Sequence, residues 1–401
     1  MSWGETIITD AGAAFCMLGL LMIHLMGGAP VVFLLHIKGF LIALTTNFTA
    51  TGAFAATYEL NGSSVLNSAQ FNGVTLTNAL PIGDSVLLIG VNGSRPFMAT
   101  INITNWRITN DAGRLPSSFQ PYAAAFLGDE LMLGGSSDGH ASLLAINGST
   151  IINETSRLPS NYLSSVIVLL APLNESLLVI STTQYPSMLV GILGRGGFRD
   201  LTGKLPINPN LVFPTVVAVN GDEAFIGGFN ISKGENTGFY YFQLNQLEFR
   251  PMALMLINGT FHNLTPMLGM EYGALFDAEF INSTTLVVGG GYLLNSGWAP
   301  YIAILSRGKV ITYQLPINGA VFAVTKNLLV GGGTNVFYNL TMLSGEPFIA
   351  TAMPGASLIS GTSEANNSQA NLEPLGEAII VALIAGIGVG LLMMSTLEDE
   401  R

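Results

Sequence analysis

Short apolar runs ending in a small residue recur through the middle of the chain. Leu87-Leu88-Ile89-Gly90, Leu131-Met132-Leu133-Gly134, Ala224-Phe225-Ile226-Gly227, Leu286-Val287-Val288-Gly289 and Leu328-Leu329-Val330-Gly331 are clear copies, and Leu177-Leu178-Val179-Ile180 is a degenerate one. Their fourth residues are spaced by 44, 46, 47, 62 and 42 positions. A period of about 45 residues is that of a four-stranded propeller blade. Tight-turn residues precede most copies, as in Gly83-Asp84, Gly128-Asp129, Gly221-Asp222 and Lys326-Asn327. Hairpins need such residues because their turns require positive φ. After each copy comes an alternating run, a polar turn and another short strand, the periodicity of β-structure rather than of helix.

This pattern predicts an all-β chain, a β-propeller with six blades, or seven as the alternative, and almost no helix between residues 74 and 352. The six blades fall at 74–110, 122–156, 163–202, 212–264, 274–313 and 320–352. The long spacing predicts an extra hairpin in the fourth, around residues 242–256 and including Phe249, Met252 and Met255. Residues 53–71 read as the outer half of a blade without an inner half. They are expected to lend a strand to the sixth blade and close the ring, removing exposed sheet edges; the alternative is an incomplete seventh blade.

The two ends are apolar. Residues 378–394 carry no charge, and with Ser395, Thr396 and Leu397 they are long enough to cross a bilayer of about 30 Å as a helix. Ala378, Ala382, Gly386 and Gly390 recur every fourth residue along it, a small-residue stripe that favours self-association of membrane helices. Residues 13–35 form a second apolar run, either a leader or an anchor. The preceding residues carry Glu5 and Asp10 and no base, unlike a usual secretory signal. A start at Met22 or Met26 would give a shorter leader, with a cleavage candidate at Ala53-Phe54-Ala55. The layout is then a leader or N-terminal anchor over 1–46, a propeller ectodomain over 47–353, a flexible polar stalk over 354–374, a transmembrane helix over 375–397 and a short tail over 398–401.

Composition narrows the setting. Charged residues make up 10% of the chain and the net charge is −11, so no basic face exists for nucleic acid. Cys16 is the single cysteine, which excludes an intrachain disulfide. Acceptor triplets for N-glycosylation stand at Asn47, Asn61, Asn92, Asn102, Asn147, Asn153, Asn174, Asn230, Asn258, Asn263, Asn282, Asn339 and Asn366. Chance would give roughly five in a chain so rich in Asn, Ser and Thr. The excess points to an extracellular main domain, although turn chemistry by itself also favours Asn-Gly pairs.

The Gly-Gly doublets at 134–135, 227–228, 289–290 and 331–332 resemble kelch-type propeller repeats, over about residues 74–352. Kelch blades also carry a spaced Tyr and Trp, and this chain has too few tryptophans for one per blade. Abundant acceptor triplets, few ionic residues, a Ser/Thr/Asn stalk and a C-terminal helix together resemble archaeal membrane-anchored surface glycoproteins.

Candidate chemistry is sparse, and no cofactor is implied. His140 and His262 lie in different blades, and Ser136-Ser137-Asp138-Gly139-His140 reads as an inter-strand loop. Asp277 and Glu279 are the better candidates, because i, i+2 spacing on an inner strand puts both carboxylates on one face. Facing the central channel, with Glu271 nearby, they could bind a cation or act as acid and base; a plain hydrated channel wall is the other reading. The sequence thus points to a membrane-anchored recognition module for surface proteins, glycans or other cells. The alternative is an ectoenzyme acting on sugars or polymers.

Overall fold

The structure is a computed structural model that describes residues 29–351, apart from 50–51, 62–63, 184–186, 234–246, 295–296, 307, 314, 316 and 340–341. Residues 1–28 and 352–401 lie outside it, and with them the stalk, the C-terminal apolar segment and its small-residue stripe.

The chain folds as a β-propeller. Five four-stranded antiparallel meanders follow one another in sequence. The first is β5 (Val74–Ile82), β6 (Ser85–Asn92), β7 (Arg95–Asn102) and β8 (Arg107–Asn110). The second is β9 (Phe119–Leu127), β10 (Glu130–Ser137), β11 (His140–Asn147) and β12 (Thr150–Asn153). The third is β13 (Ser165–Leu173), β14 (Ser176–Thr183), β15 (Met188–Gly194) and β16 (Gly197–Asp200). The fourth is β17 (Val212–Asn220), β18 (Glu223–Lys233), β19 (Leu247–Ile257) and β20 (Thr260–Asn263). The fifth is β21 (Gly273–Asn282), β22 (Thr285–Leu294), β23 (Gly297–Ser306) and β24 (Lys309–Tyr313).

A further sheet holds seven strands. It joins the meander β1 (Val31–Ile37), β2 (Phe40–Thr49), β3 (Gly52–Asn61) and β4 (Ser64–Asn72) to the meander β25 (Gly319–Val324), β26 (Leu329–Asn339) and β27 (Met342–Thr351). The two parts pair at a single position, Phe48 opposite Leu343. First strands pack on first strands all the way round, β1 on β5, on to β25 and from β25 back to β1. They form the inner ring.

Two expectations are corrected here. Six blades are not found: residues 31–49, which the pattern assigned largely to a leader, form β1 and β2, and residues 52–72 thereby acquire their inner half. Residues 52–72 share the seven-stranded sheet with β25–β27 but pair with none of those three strands directly; the two parts join where β2 pairs with β27. The cause of the misreading is burial. Val31, Leu34, Ile42, Ala43 and Leu44 are all enclosed, and a strand covered on both faces reads as one continuous apolar run. The second correction concerns Phe249, Met252 and Met255, which belong to β19 itself. Strands β18 and β19 pair from Ala224–Leu256 out to Lys233–Leu247, a long hairpin, and residues 242–246 of the expected insertion lie outside the described residues.

A bulge marks every inner strand at the same height. Val32, Thr77, Tyr122, Val168, Thr215, Phe276 and Phe322 are each skipped by the pairing with the second strand. Their spacings are 45, 45, 46, 47, 61 and 46 residues. The bulge accounts for the second glycine of each doublet. It swings an inner-strand carbonyl toward the second strand, so a Cβ at Gly135 would collide with the Gln120 carbonyl and one at Gly290 with that of Ala274. The bulge residues are buried, and Phe276 and Phe322 join a run of rings through Phe213, Phe229, Phe249 and Trp298 that fills one sector of the core.

Helix among the described residues is limited to single turns. Four are 3-10 turns in the connections after outer strands, Ala112–Arg114, Thr155–Arg157, Thr202–Lys204 and Thr265–Met267, and one is an α turn, Ser160–Leu163. No helix among these residues is long and apolar enough to cross a membrane.

Candidate functional site

Asp277 and Glu279 stand on the inner strand β21, on one face, as their spacing implies. Their carboxylates turn to the neighbouring inner strand. Asp277 Oδ2 accepts the backbone N–H of Val324 at 2.8 Å and Glu279 Oε2 accepts that of Lys326 at 2.8 Å, while Asp277 Oδ1 accepts the N–H of Ala278 at 2.9 Å. The pair therefore clamps the end of β25 to β21. Desolvation pushes the Asp277 carboxyl up to about 7; its two backbone hydrogen bonds oppose the rise and the Glu279 charge adds to it. A carboxyl that titrates near neutrality can in principle exchange protons at work, yet here both oxygens are already bonded to N–H groups. Among the described residues no group of three or more His, Cys, Asp or Glu could hold a metal ion.

The other candidates separate. Asp138 and Gly139 form the two-residue turn between β10 and β11, with φ of 51° and 77°, so Ser136, Ser137 and His140 are hairpin residues. His140 places Nδ1 3.3 Å from the Leu163 carbonyl oxygen. His262 lies in another blade, in an open groove of about 400 Å³ between the β17–β20 and β21–β24 sheets. Met255, Leu264, Met267, Phe280, Leu286 and Leu305 line its walls, with Glu223, His262 and Lys309 as its ionisable groups. Sequence reasoning missed this groove, because its wall comes from residues up to 86 positions apart.

The acceptor asparagines can be sorted by what they touch. Asn61, Asn92, Asn147, Asn153, Asn174, Asn258, Asn263 and Asn282 are exposed; Asn47, Asn102 and Asn230 are half-buried. The Asn339 side chain and Asn366 fall outside the described residues. Both rims of the ring carry them: Asn61, Asn102, Asn147, Asn174, Asn258 and Asn282 at first-to-second or third-to-fourth strand turns, Asn47, Asn92 and Asn230 toward the opposite ends of second strands.

Some of these asparagines also shape the backbone. In the connection after each of four outer strands, a side-chain oxygen accepts the N–H two residues on: Asn110 to Ala112, Asn153 to Thr155, Asp200 to Thr202 and Asn263 to Thr265, at 2.8–3.0 Å. The threonines then accept the N–H of Leu143, Val190 and Ala253 in the third strands, at 2.9–3.0 Å. Asn153-Glu154-Thr155 and Asn263-Leu264-Thr265 are thus turn motifs as well as acceptor triplets. Asp200-Leu201-Thr202 makes the same turn without being one.

No family model matches the sequence, and no curated protein does. Among solved structures, U3-55K is similar at 8% identity over 82% of this chain and 97% of that one, with a TM-score of 0.49. YCF48 from Cyanidioschyzon merolae is similar at 9% identity over 82% and 97%, TM-score 0.49. The β-propeller domain of the Trilobed protease from Pyrococcus furiosus is similar at 8% identity over 80% and 94%, TM-score 0.45.

Proposed function

We propose that this protein is a membrane-tethered recognition module whose propeller lies outside the cell and binds surface proteins or glycans. One observation carries the reading: of the eleven acceptor asparagines whose side chains are described, none is buried, and they are spread over both rims. A glycan is bulky and needs an exposed site. Turn chemistry accounts for six of these asparagines without a glycan: Asn102, Asn153, Asn263 and Asn282 accept backbone N–H groups, and Asn174 and Asn258 hold φ of 52° and 51°, the left-handed region that asparagine favours; Asn61, Asn92 and Asn147 show no such role among the described residues. The apolar segment 378–394 supplies the anchor in this reading, and the likeness to archaeal surface glycoproteins agrees with it. The ring is read as seven units, six with four strands and the last with three.

The ectoenzyme alternative is weaker. Its acids, Asp277 and Glu279, bind the N–H groups of Val324 and Lys326 at the end of β25, and among the described residues they belong to no group of three His, Cys, Asp or Glu that could hold a metal ion. Glycopeptide mass mapping of the full chain purified from its native membranes tests the proposal. Glycan is expected on Asn61, Asn92, Asn147, Asn174 and Asn258; bare asparagine at all five, or recovery of the chain in the soluble fraction, would overturn it.

A further inference from the structure

Five of the six four-stranded meanders end in a short outer strand that covers the last residues of the third strand, and in the first the longer β4 covers nearly all of β3. Strand β8 pairs with 99–102 of β7, β12 with 144–147 of β11, β16 with 191–194 of β15, and β20 with 254–257 of β19. The meander β25–β27 has no such cover. Beyond Leu343, the outer edge of β27 pairs with no strand among the described residues. An open edge presents unpaired N–H and C=O groups and is a template for any available strand.

We propose that residues 357–360 of this chain occupy that edge and complete the last blade. The described chain ends at Thr351, the last residue of β27, and fifty residues follow it. Ser357-Leu358-Ile359-Ser360-Gly361-Thr362-Ser363 repeats the pattern of Thr150-Ile151-Ile152-Asn153-Glu154-Thr155-Ser156, which is β12 and its connection. Ser360 stands where Asn153 accepts an N–H, a task a serine hydroxyl also performs. Thr362 stands where Thr155, Thr202 and Thr265 accept an N–H from a third strand.

The register follows from the complete blades. The third-strand residue opposite the residue before the bulge's own partner sets it: Gly134 pairs with Leu143 in β11, and Gly331 with Ile349 in β27. Leu144 faces Asn153, so Ala350 faces Ser360. Three residues, Pro354-Gly355-Ala356, then make the hairpin loop, a common length for such a connection and rich in turn formers. The stalk begins only after this strand, at residue 361 rather than 354.

Other occupants are conceivable and the test separates them. Thr6-Ile7-Ile8-Thr9-Asp10-Ala11-Gly12 also resembles an outer strand, Arg107–Asn110 with Asp111-Ala112-Gly113. It would have to reach β1 through residues 10–30, whereas the complete blades use connections no longer than 154–164 or 201–211. A retained N-terminal strand also conflicts with a cleaved leader, while residues 357–360 serve with either form of the N-terminus.

The experiment is disulfide trapping in the full-length chain with Cys16→Ser. Ala350→Cys with Ser360→Cys occupies a pair of the non-hydrogen-bonded kind, where Cα atoms lie about 4.5 Å apart, within disulfide range. Oxidation should give an intrachain crosslink, and Ala350→Cys with Ile359→Cys, whose side chains point to opposite faces, should give at least tenfold less. No crosslink in the first pair overturns the proposal. So does efficient crosslinking of Ala350→Cys with Thr9→Cys, or a crosslink found between two chains. Hydrogen exchange guards against a misfolded variant: residues 344–351 should be protected in the unaltered chain and lose that protection in Ile359→Pro. Equal exchange in both would also overturn the assignment. Neither outcome bears on glycosylation or on membrane anchoring, so the proposed function can fail independently.

Discussion

Asp277 shows how one side chain ties two blades and titrates as it does so. Its folded pKa of about 7 lies above the ordinary value of 3.8. Between those values the folded state holds more protons than the unfolded one, so its contribution to stability is fully present below about pH 4 and is lost as pH rises toward 7. The loss is up to about 4 kcal/mol if the whole shift is realised. Asp200 behaves in the opposite sense. Burial works to raise it, but hydrogen bonds from Thr202, Asn161 and Tyr162 prevail and hold it below its usual value, so its contribution is present above about pH 4 and fades in acid. The windows are separate. Urea unfolding from pH 4 to 8 should therefore show Asp277→Asn flattening the decline of the parent; parallel profiles would mean that the carboxyl does not titrate in this range. The i, i+2 spacing made the pair legible in the sequence. Its partners were not legible, because the N–H groups that it binds lie 47 residues away on a different sheet.

At the scale of elements, the repeat that organises this fold has two signatures, and the pattern of apolar runs exposes one of them. The runs mark second strands. The turn after each outer strand is a second mark, and it was hidden because its polar residue alternates between Asn and Asp and its hydroxyl is replaced by Ala112 in one blade. Side-chain hydrogen bonds of this kind fix a connection in place of a helix cap. Blade limits at 74–110 and 212–264 agree with the strands to within a few residues, since the Gly-Asp and Asn-Gly turns inside these blades mark their hairpins. The inner half of the first meander, β1 and β2, was illegible for the reason already given, its burial on both faces. The role of the threonines can be measured. Thr202→Val keeps the shape but leaves the Val190 N–H without its acceptor, at a cost of about 1–3 kcal/mol. Thermal unfolding should show that loss for Thr202→Val and for Thr155→Val alike. No loss at either position would make the turn incidental.

The molecule as a whole depends on one seam, where β25–β27 meets β1. At other seams a first glycine makes room for the next inner strand: Ile167 comes within 2.5 Å of the place a Cβ would occupy at Gly134, and Val324 within 2.6 Å at Gly289. Gly331 does this at the seam, with Val31 Cγ1 2.7 Å and Leu34 Cδ1 3.1 Å from that place. The same device thus operates between the last sheet and the first as between consecutive ones, which is the physical content of a closed ring. Radial repetition around such a ring leaves only short blade edges. A glycine within a strand ordinarily weakens it by about 0.5–1 kcal/mol relative to alanine, so Gly331→Ala tests the seam by the sign of its effect. If Val31 seats there, the substitution destabilises by about 1–3 kcal/mol through overpacking; if the seam is open in solution, it stabilises. Val31→Ala removes the methyl groups that the new Cβ would meet. In a double-mutant cycle Gly331→Ala should then cost at least 1 kcal/mol less in the Val31→Ala background than alone, a coupling that only residues in contact show. Additive effects, or stabilisation by Gly331→Ala in the parent, would mean that the first and last meanders do not hold each other.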